Sequence, residues 1–273
     1  MSTHKTKTLP IKQNLNLIFL ISIIITILMT TASIAGILFR NEIYPAEELV
    51  NTFVPNDVVN LLVGLPTIII SLALTRKEKL LGLLFWPGAL LFIIYNYLIY
   101  VLAMPFSFAF LIHLILVIAS AYTLISLIKN IDGKKVKQQL TGNIPERLAS
   151  GILFGLGLLF LFQAIGVMIL AFFNQTIIPG TDLALHITDS IIATIFVIEG
   201  ILLWQHKKLG YVAGLGLLFQ VSSLFIGLIA FVIIQPFLTS LPFVLVDVVV
   251  IFIMGLISFI PMGLFIRGII KRK

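Results

Sequence analysis

The chain has 273 residues, of which 60% are apolar and only 11% charged. Soluble domains carry about a quarter charged residues, so this chain cannot cover its apolar surface in water and lipid must be the solvent for much of it. The net charge of +7 sits in short tracts at the ends of apolar segments, the positive-inside pattern, and this placement excludes nucleic acid as a partner. The absence of cysteine excludes disulfides, thiolate metal sites, iron–sulfur clusters and a cysteine nucleophile.

Residues 1–14 form a basic tail with Lys5, Lys7 and Lys12. The first apolar segment, 15–39, opens like a secretory signal, with small residues from Thr30 to Ala35. The run continues through Ile37, Leu38 and Phe39, which is the length of a retained spanning helix. Further apolar stretches cover 57–75, 80–104, 106–128, 148–173, 186–205, 209–234 and 242–266. Each is near the roughly 20 residues needed to cross a bilayer core. Pro87 and Pro261 fall inside spans and are expected to kink them. The fold expected is therefore all-α, a polytopic integral membrane protein of eight transmembrane helices.

The longest polar interval is 129–147, with Lys129, Lys134, Lys135, Lys137 and Arg147 against Asp132 and Glu146. It reads as a basic cytoplasmic linker between a first half, 15–128, and a second, 148–266, with a basic tail at 267–273. With both termini cytoplasmic, only Arg40 of the 18 Lys and Arg lies outside. The outer loops then hold Glu42, Glu47, Glu48, Asp57, Asp182 and Asp189. This asymmetry predicts a multi-pass protein with both termini cytoplasmic, and with no organelle signal legible the membrane expected is the plasma membrane.

The halves look alike. Asn41 and Asn174 follow the first and fifth spans, Asp57 and Asp189 open the second and sixth, and Pro105-Phe106 and Pro236-Phe237 end the third and seventh. Gly82 and Gly88 correspond to Gly210 and Gly216 at a shift of 128. Landmarks in order at a nearly constant shift predict a 4+4 parallel repeat, with a binding site between the halves.

Ionisable groups deep in spans point to pathways for protons or ions. Glu199 lies near the middle of the sixth span, Asp247 about a turn and a half into the eighth, and His113 two turns into the fourth. His113 and Asp247 follow their Pro-Phe landmarks at similar distances and are expected to face one another. With Asn96 and Gln220 these make the expected site for a small solute or cation, and Gln163, Ser222 and Ser223 lie nearby. Tyr97 and Tyr100 lie in the outer half of the third span, where Tyr100 reads as an interfacial anchor. Asp182, His186 and Asp189, spaced i, i+4 and i+7, share a helix face and are types that hold a divalent metal. Gly151/Gly155 and Gly210/Gly214 read as close helix contacts.

There is no H-E-x-x-H, G-x-S-x-G, Walker or kinase motif, and nothing calls for a cofactor. The leading reading is a permease-like protein with a site between the halves. The alternatives are a non-catalytic sensor or assembly component, in which the polar groups only join helices, and a membrane-embedded metal-dependent enzyme.

Overall fold

The computed structural model describes residues 9–271; Lys5, Lys7, Arg272 and Lys273, counted above among the basic tails, lie outside the described residues. The helices are α1 (Asn16–Leu38), α2 (Arg40–Ile43), α3 (Glu47–Val59), α4 (Leu65–Arg76), α5 (Leu80–Ala103), α6 (Phe108–Asn130), α7 (Gly133–Leu140), α8 (Glu146–Asn174), α9 (Gly180–Trp204), α10 (Lys208–Leu238) and α11 (Leu245–Lys271). A π-helical turn, Asn60–Gly64, joins α3 to α4. The described residues contain no β-strand, only an isolated bridge between Ile11 and Ile131. Among the described residues eight helices, counting Glu47–Arg76 as one, are long and apolar enough to cross a membrane.

The second of these begins at Glu47, ten residues before the hydropathy pattern starts it. Its first turns, EELVNTFVPND, are too polar to read as a span, yet Phe53, Val54 and Asp57 are buried by packing. The π turn precedes Pro66, whose missing N–H releases a carbonyl from the ladder. Helices α5 and α11 run through Pro87 and Pro261, and α10 runs through Pro236 to Leu238.

Helix α5 is the centre of the bundle. Within its most apolar window 83% of residues are buried, against 44% or less in the other seven spans, so protein surrounds α5 where other helices keep apolar faces outward. It packs on α4, α6, α9 and α10, while α10 packs on α3, α9 and α11. Where α5 and α10 cross, a side chain on Gly88 would run into the Gly216 carbonyl, and one on Gly216 would meet the Gly88 nitrogen at 3.1 Å. Phe85 and Phe219 stack beside this crossing at 4.0 Å.

The turns α4–α5 and α9–α10 have the same geometry. Glu78 and His206 both take φ 55°. Lys77, Glu78 and Lys79 donate to the carbonyls of Ala73, Thr75 and Leu74; Gln205, His206 and Lys207 donate to those of Ile201, Leu203 and Leu202. Gly82 then packs on Leu74 and Thr75 as Gly210 packs on Leu202 and Leu203.

The interval 129–147 contains a folded helix. Asp132 caps α7 by accepting from the Lys134 and Lys135 amides at 3.1 and 3.3 Å, which holds its carboxyl below the usual range. Val136 and Leu140 are fully buried, and Gly133 lies against Lys208 and Val212 of α10. The chain before α1 pairs with this segment, Lys12 donating to Asn130 and Asp132 to Pro10. At the same end Tyr211 donates to Glu146 at 2.7 Å, and His206 lies 3.1 Å from that carboxylate.

Candidate functional site

A cavity of about 380 Å³ lies between α3, α5, α8, α9 and α10. Along α9 its wall runs from Thr181 to Phe196, about 22 Å of helix at 1.5 Å per residue, from the end remote from α7 into the interior. Most of the wall is apolar, with phenylalanines from all five helices among it. The polar groups are few: Thr52, Asn56, Tyr95, Asn96, Gln163, Thr181, Asp182 and Asp189. Two carboxylates and no Lys or Arg line it. Its size and mixed wall are those of a small-molecule site.

The polar groups are held by bonds that cross between helices. Tyr95 of α5 donates to Asp189 of α9 at 2.9 Å. Glu48 of α3 accepts from the amide and hydroxyl of Thr181 at 2.9 and 2.6 Å, capping the start of α9 from another helix. Asn96 donates to its own helix at the Phe92 carbonyl, 3.0 Å.

Of the residues expected from the sequence, the cavity gathers Asn96, Gln163, Asp182 and Asp189. Glu199 and Gln220 are buried elsewhere in α9 and α10; Glu199 Oε1 and both amide atoms of Gln220 have no hydrogen-bond partner. Asp247 lies in the first turn of α11 and is exposed, less deep than its spacing suggested, because α11 begins at Leu245. His113 is 3% exposed and packs on the Tyr97 and Tyr100 rings, so its neighbours belong to α5 and not to α11. Asp182, His186 and Asp189 do share a helix, but among the described residues no group of three or more His, Cys, Asp or Glu is placed to hold a metal. Asp189 turns instead to Tyr95.

Two expectations are corrected outright. Tyr100 is fully buried, as is Tyr97, and is not an interfacial anchor, because its hydroxyl has partners inside the bundle. Gly151 and Gly155 have nothing within 4 Å of a would-be Cβ; the close contact of α8 with α9 is made by Gly157 and Gly200.

The site that the sequence pattern conceals is Asp57. It reads as an outer-loop residue, yet it is 1% exposed inside α3. Tyr44 donates to Oδ2 at 2.6 Å and Tyr100 to Oδ1 at 2.9 Å. Burial first, and then the Asp57 charge, push the Tyr44 hydroxyl up, so it stays a donor. Tyr100 also lies 3.3 Å from the Phe53 carbonyl and 3.3 Å from Asn56 Nδ2, which donates to it. Ser33 and Tyr97 share a 3.1 Å hydrogen bond beside this group. Gly36 is required here: a side chain would strike the Asp57 carboxylate and the Tyr44 hydroxyl. A tyrosine pair three residues apart on α5 was the available signal. Comparison of the chain with protein-family models, with curated proteins and with solved structures yields no match.

Proposed function

We propose that this is a multi-pass membrane protein that binds, and in a permease-like way transfers, a small solute held between its two halves. The observation that carries this reading is the cavity between α3 and α5 of the first half and α8, α9 and α10 of the second. Asp182 and Asp189 with no basic partner in the wall favour a cationic or hydrogen-bond-donating head, and the phenylalanines favour an apolar or aromatic body. Asn56, Asn96 and Gln163 supply amide contacts that orient it. The site residues first drawn from the sequence are thereby revised: Asn96 stays, Asp189 and Asp182 act as carboxylates for an organic cation and not for a metal, and Glu199, Gln220, His113 and Asp247 lie outside the pocket wall.

The two halves descend, on this reading, from one four-helix unit. The supports are the matched turns around Glu78 and His206, the meeting of Gly88 with Gly216, and the reciprocal packing of α5 on α9 and α10 on α3. On this reading an axis along the bundle relates the halves, as in parallel-repeat transporters. The basic segments beside α7 face the cytoplasm on this reading, and the cavity is reached from outside. Because the chain has no cysteine, single cysteines at Lys134 and Gln175 test this: an impermeant maleimide should label only the second in intact cells.

The test of binding uses 2-phenylethylammonium as a probe with the purified protein in mild detergent. Thermal stabilisation and a native mass-spectrometric adduct are expected for the wild type and not for Asp189→Asn. Bare protein at every probe concentration, with no shift in melting, would overturn the binding reading and leave the buried polar pairs as helix-joining contacts.

A further inference from the structure

We propose that Asp57 is a proton-binding site whose proton is exchanged against a cation in the cavity, through Asn56 and Tyr100. The site itself stands on the geometry around Asp57; only the exchange rests on the cavity reading above.

Three features single out this carboxyl. It is buried without a cation: the ion pairs among the described residues are Lys135–Asp132 and His206–Glu146. A carboxylate so placed depends entirely on hydrogen bonds to stay charged. Two donors reach it, Tyr44 from the α2–α3 connection and Tyr100 from α5; Ser33 of α1 and Tyr97 of α5 bond each other beside it, and the His113 ring of α6 lies against Tyr97 and Tyr100. Finally, two hydrogen-bonded residues link it to the cavity. Asn56 lines the cavity wall and donates to Tyr100, which bonds Asp57.

Tyr100 has two acceptors within reach, the Asp57 carboxylate and the Phe53 carbonyl, and so two hydrogen-bond settings. With Asp57 ionised, Tyr100 donates to it. With Asp57 protonated, the carboxylic acid donates to the Tyr100 oxygen and the tyrosine proton turns to Phe53. Asn56 Nδ2 donates to Tyr100 in both. A cation against the Asn56 amide oxygen polarises that amide, strengthens the N–H bond to Tyr100 and makes Tyr100 a better donor to the carboxylate. Cation arrival therefore favours the ionised setting, and the Asp57 proton leaves to water. By linkage, protonation of Asp57 weakens cation binding by the same factor. One cation in for one proton out keeps the charge of the buried region constant.

The experiment is infrared difference spectroscopy of the full chain in lipid vesicles, titrated from mildly acidic to alkaline pH in choline, potassium and sodium buffers. Wild type minus Asp57→Asn should show a carboxylic C=O band that converts to carboxylate as pH rises, alike in all three salts. Tyr44→Phe and Tyr100→Phe retain the carboxyl and lose one donor each, so their midpoints must rise; these variants carry the test if Asp57→Asn does not fold. Asn56→Leu should raise the midpoint less, and saturating 2-phenylethylammonium should lower it in wild type but not in Asn56→Leu. A band that never titrates, or that titrates only in sodium, overturns the proton site. A titrating band indifferent to Asn56→Leu and to bound amine overturns the exchange alone. If no amine binds, the cavity reading fails while the Asp57 titration is still read.

Discussion

Gly88 of α5 and Gly216 of α10 meet backbone to backbone, with no room for a methyl group between the Gly88 Cα and the Gly216 carbonyl. This crossing joins the two most central helices and sets how closely the walls of the cavity approach. Gly88→Ala should therefore force α5 and α10 apart, at about 1–3 kcal/mol for overpacking a tight contact. Gly155→Ala is the control, since nothing lies within 4 Å of that position, and its effect should be within about 0.5 kcal/mol. Thermal unfolding in a single detergent compares the two. Equal losses would mean that the crossing is not a tight joint.

Glu199 offers the opposite case. It is 4% exposed and its Oε1 has no partner. Across the interface with α10, a Cβ added at Gly214 would lie 3.8 Å from that oxygen. An unpaired buried polar atom costs about 1–3 kcal/mol, and an apolar group of similar shape removes that cost. Glu199→Met should accordingly leave the melting temperature unchanged or raise it. A marked fall would show that Glu199 holds a partner, such as an ordered water, that matters to the fold.

The eight long apolar helices were legible because a helix satisfies its backbone internally and, when apolar enough for lipid, reads as one long apolar run. Asn96, Gln163 and Asp189 were legible as polar groups in such runs and Asp182 by its spacing from His186 and Asp189, and all four reach the cavity. Asp57 was not, for a physical reason. It sits in a polar stretch that hydropathy assigns to a loop, and its partners lie 13 and 43 residues away in the chain. Only the fold brings Tyr44 and Tyr100 to it. His113 and Asp247 fail conversely: similar spacing from Pro105 and Pro236 implied equal depth, but Pro105 follows the end of α5 whereas Pro236 lies inside α10, which carries the next helix start outward.

The end of the bundle that carries α7 should loosen in acid. Asp132 is held below its ordinary value of 3.8 by the amides it caps. A group whose folded value is depressed contributes stability that is complete above the unfolded value and is lost as pH falls through the folded one. Protection of the α7 amides against hydrogen exchange, corrected for the intrinsic rate, should decline below about pH 4. Asp132→Ala should reproduce that loss at neutral pH. Unchanged protection in both would mean that Val136 and Leu140 hold α7 without the cap.

The Tyr95–Asp189 bond makes the last prediction, because it separates charge from fit. Tyr95→Phe removes the donor and leaves a carboxylate at the cavity wall with one partner fewer, so the fold should lose about 1.5–3 kcal/mol, the worth of a hydrogen bond to a charged group. The freed carboxylate is then available to a cation, and 2-phenylethylammonium should bind as tightly as in wild type or more so. Asp189→Asn keeps the size of the wall and removes its charge, so binding of the ammonium probe should fall while binding of the neutral 2-phenylethanol should not. Measured by isothermal calorimetry on the same preparations, this crossed pattern belongs to a site that recognises an apolar body by shape and a cationic head by Asp189. Parallel losses of both probes in both variants would mean that the bond merely keeps α5 and α9 together and that the cavity has no preference for charge.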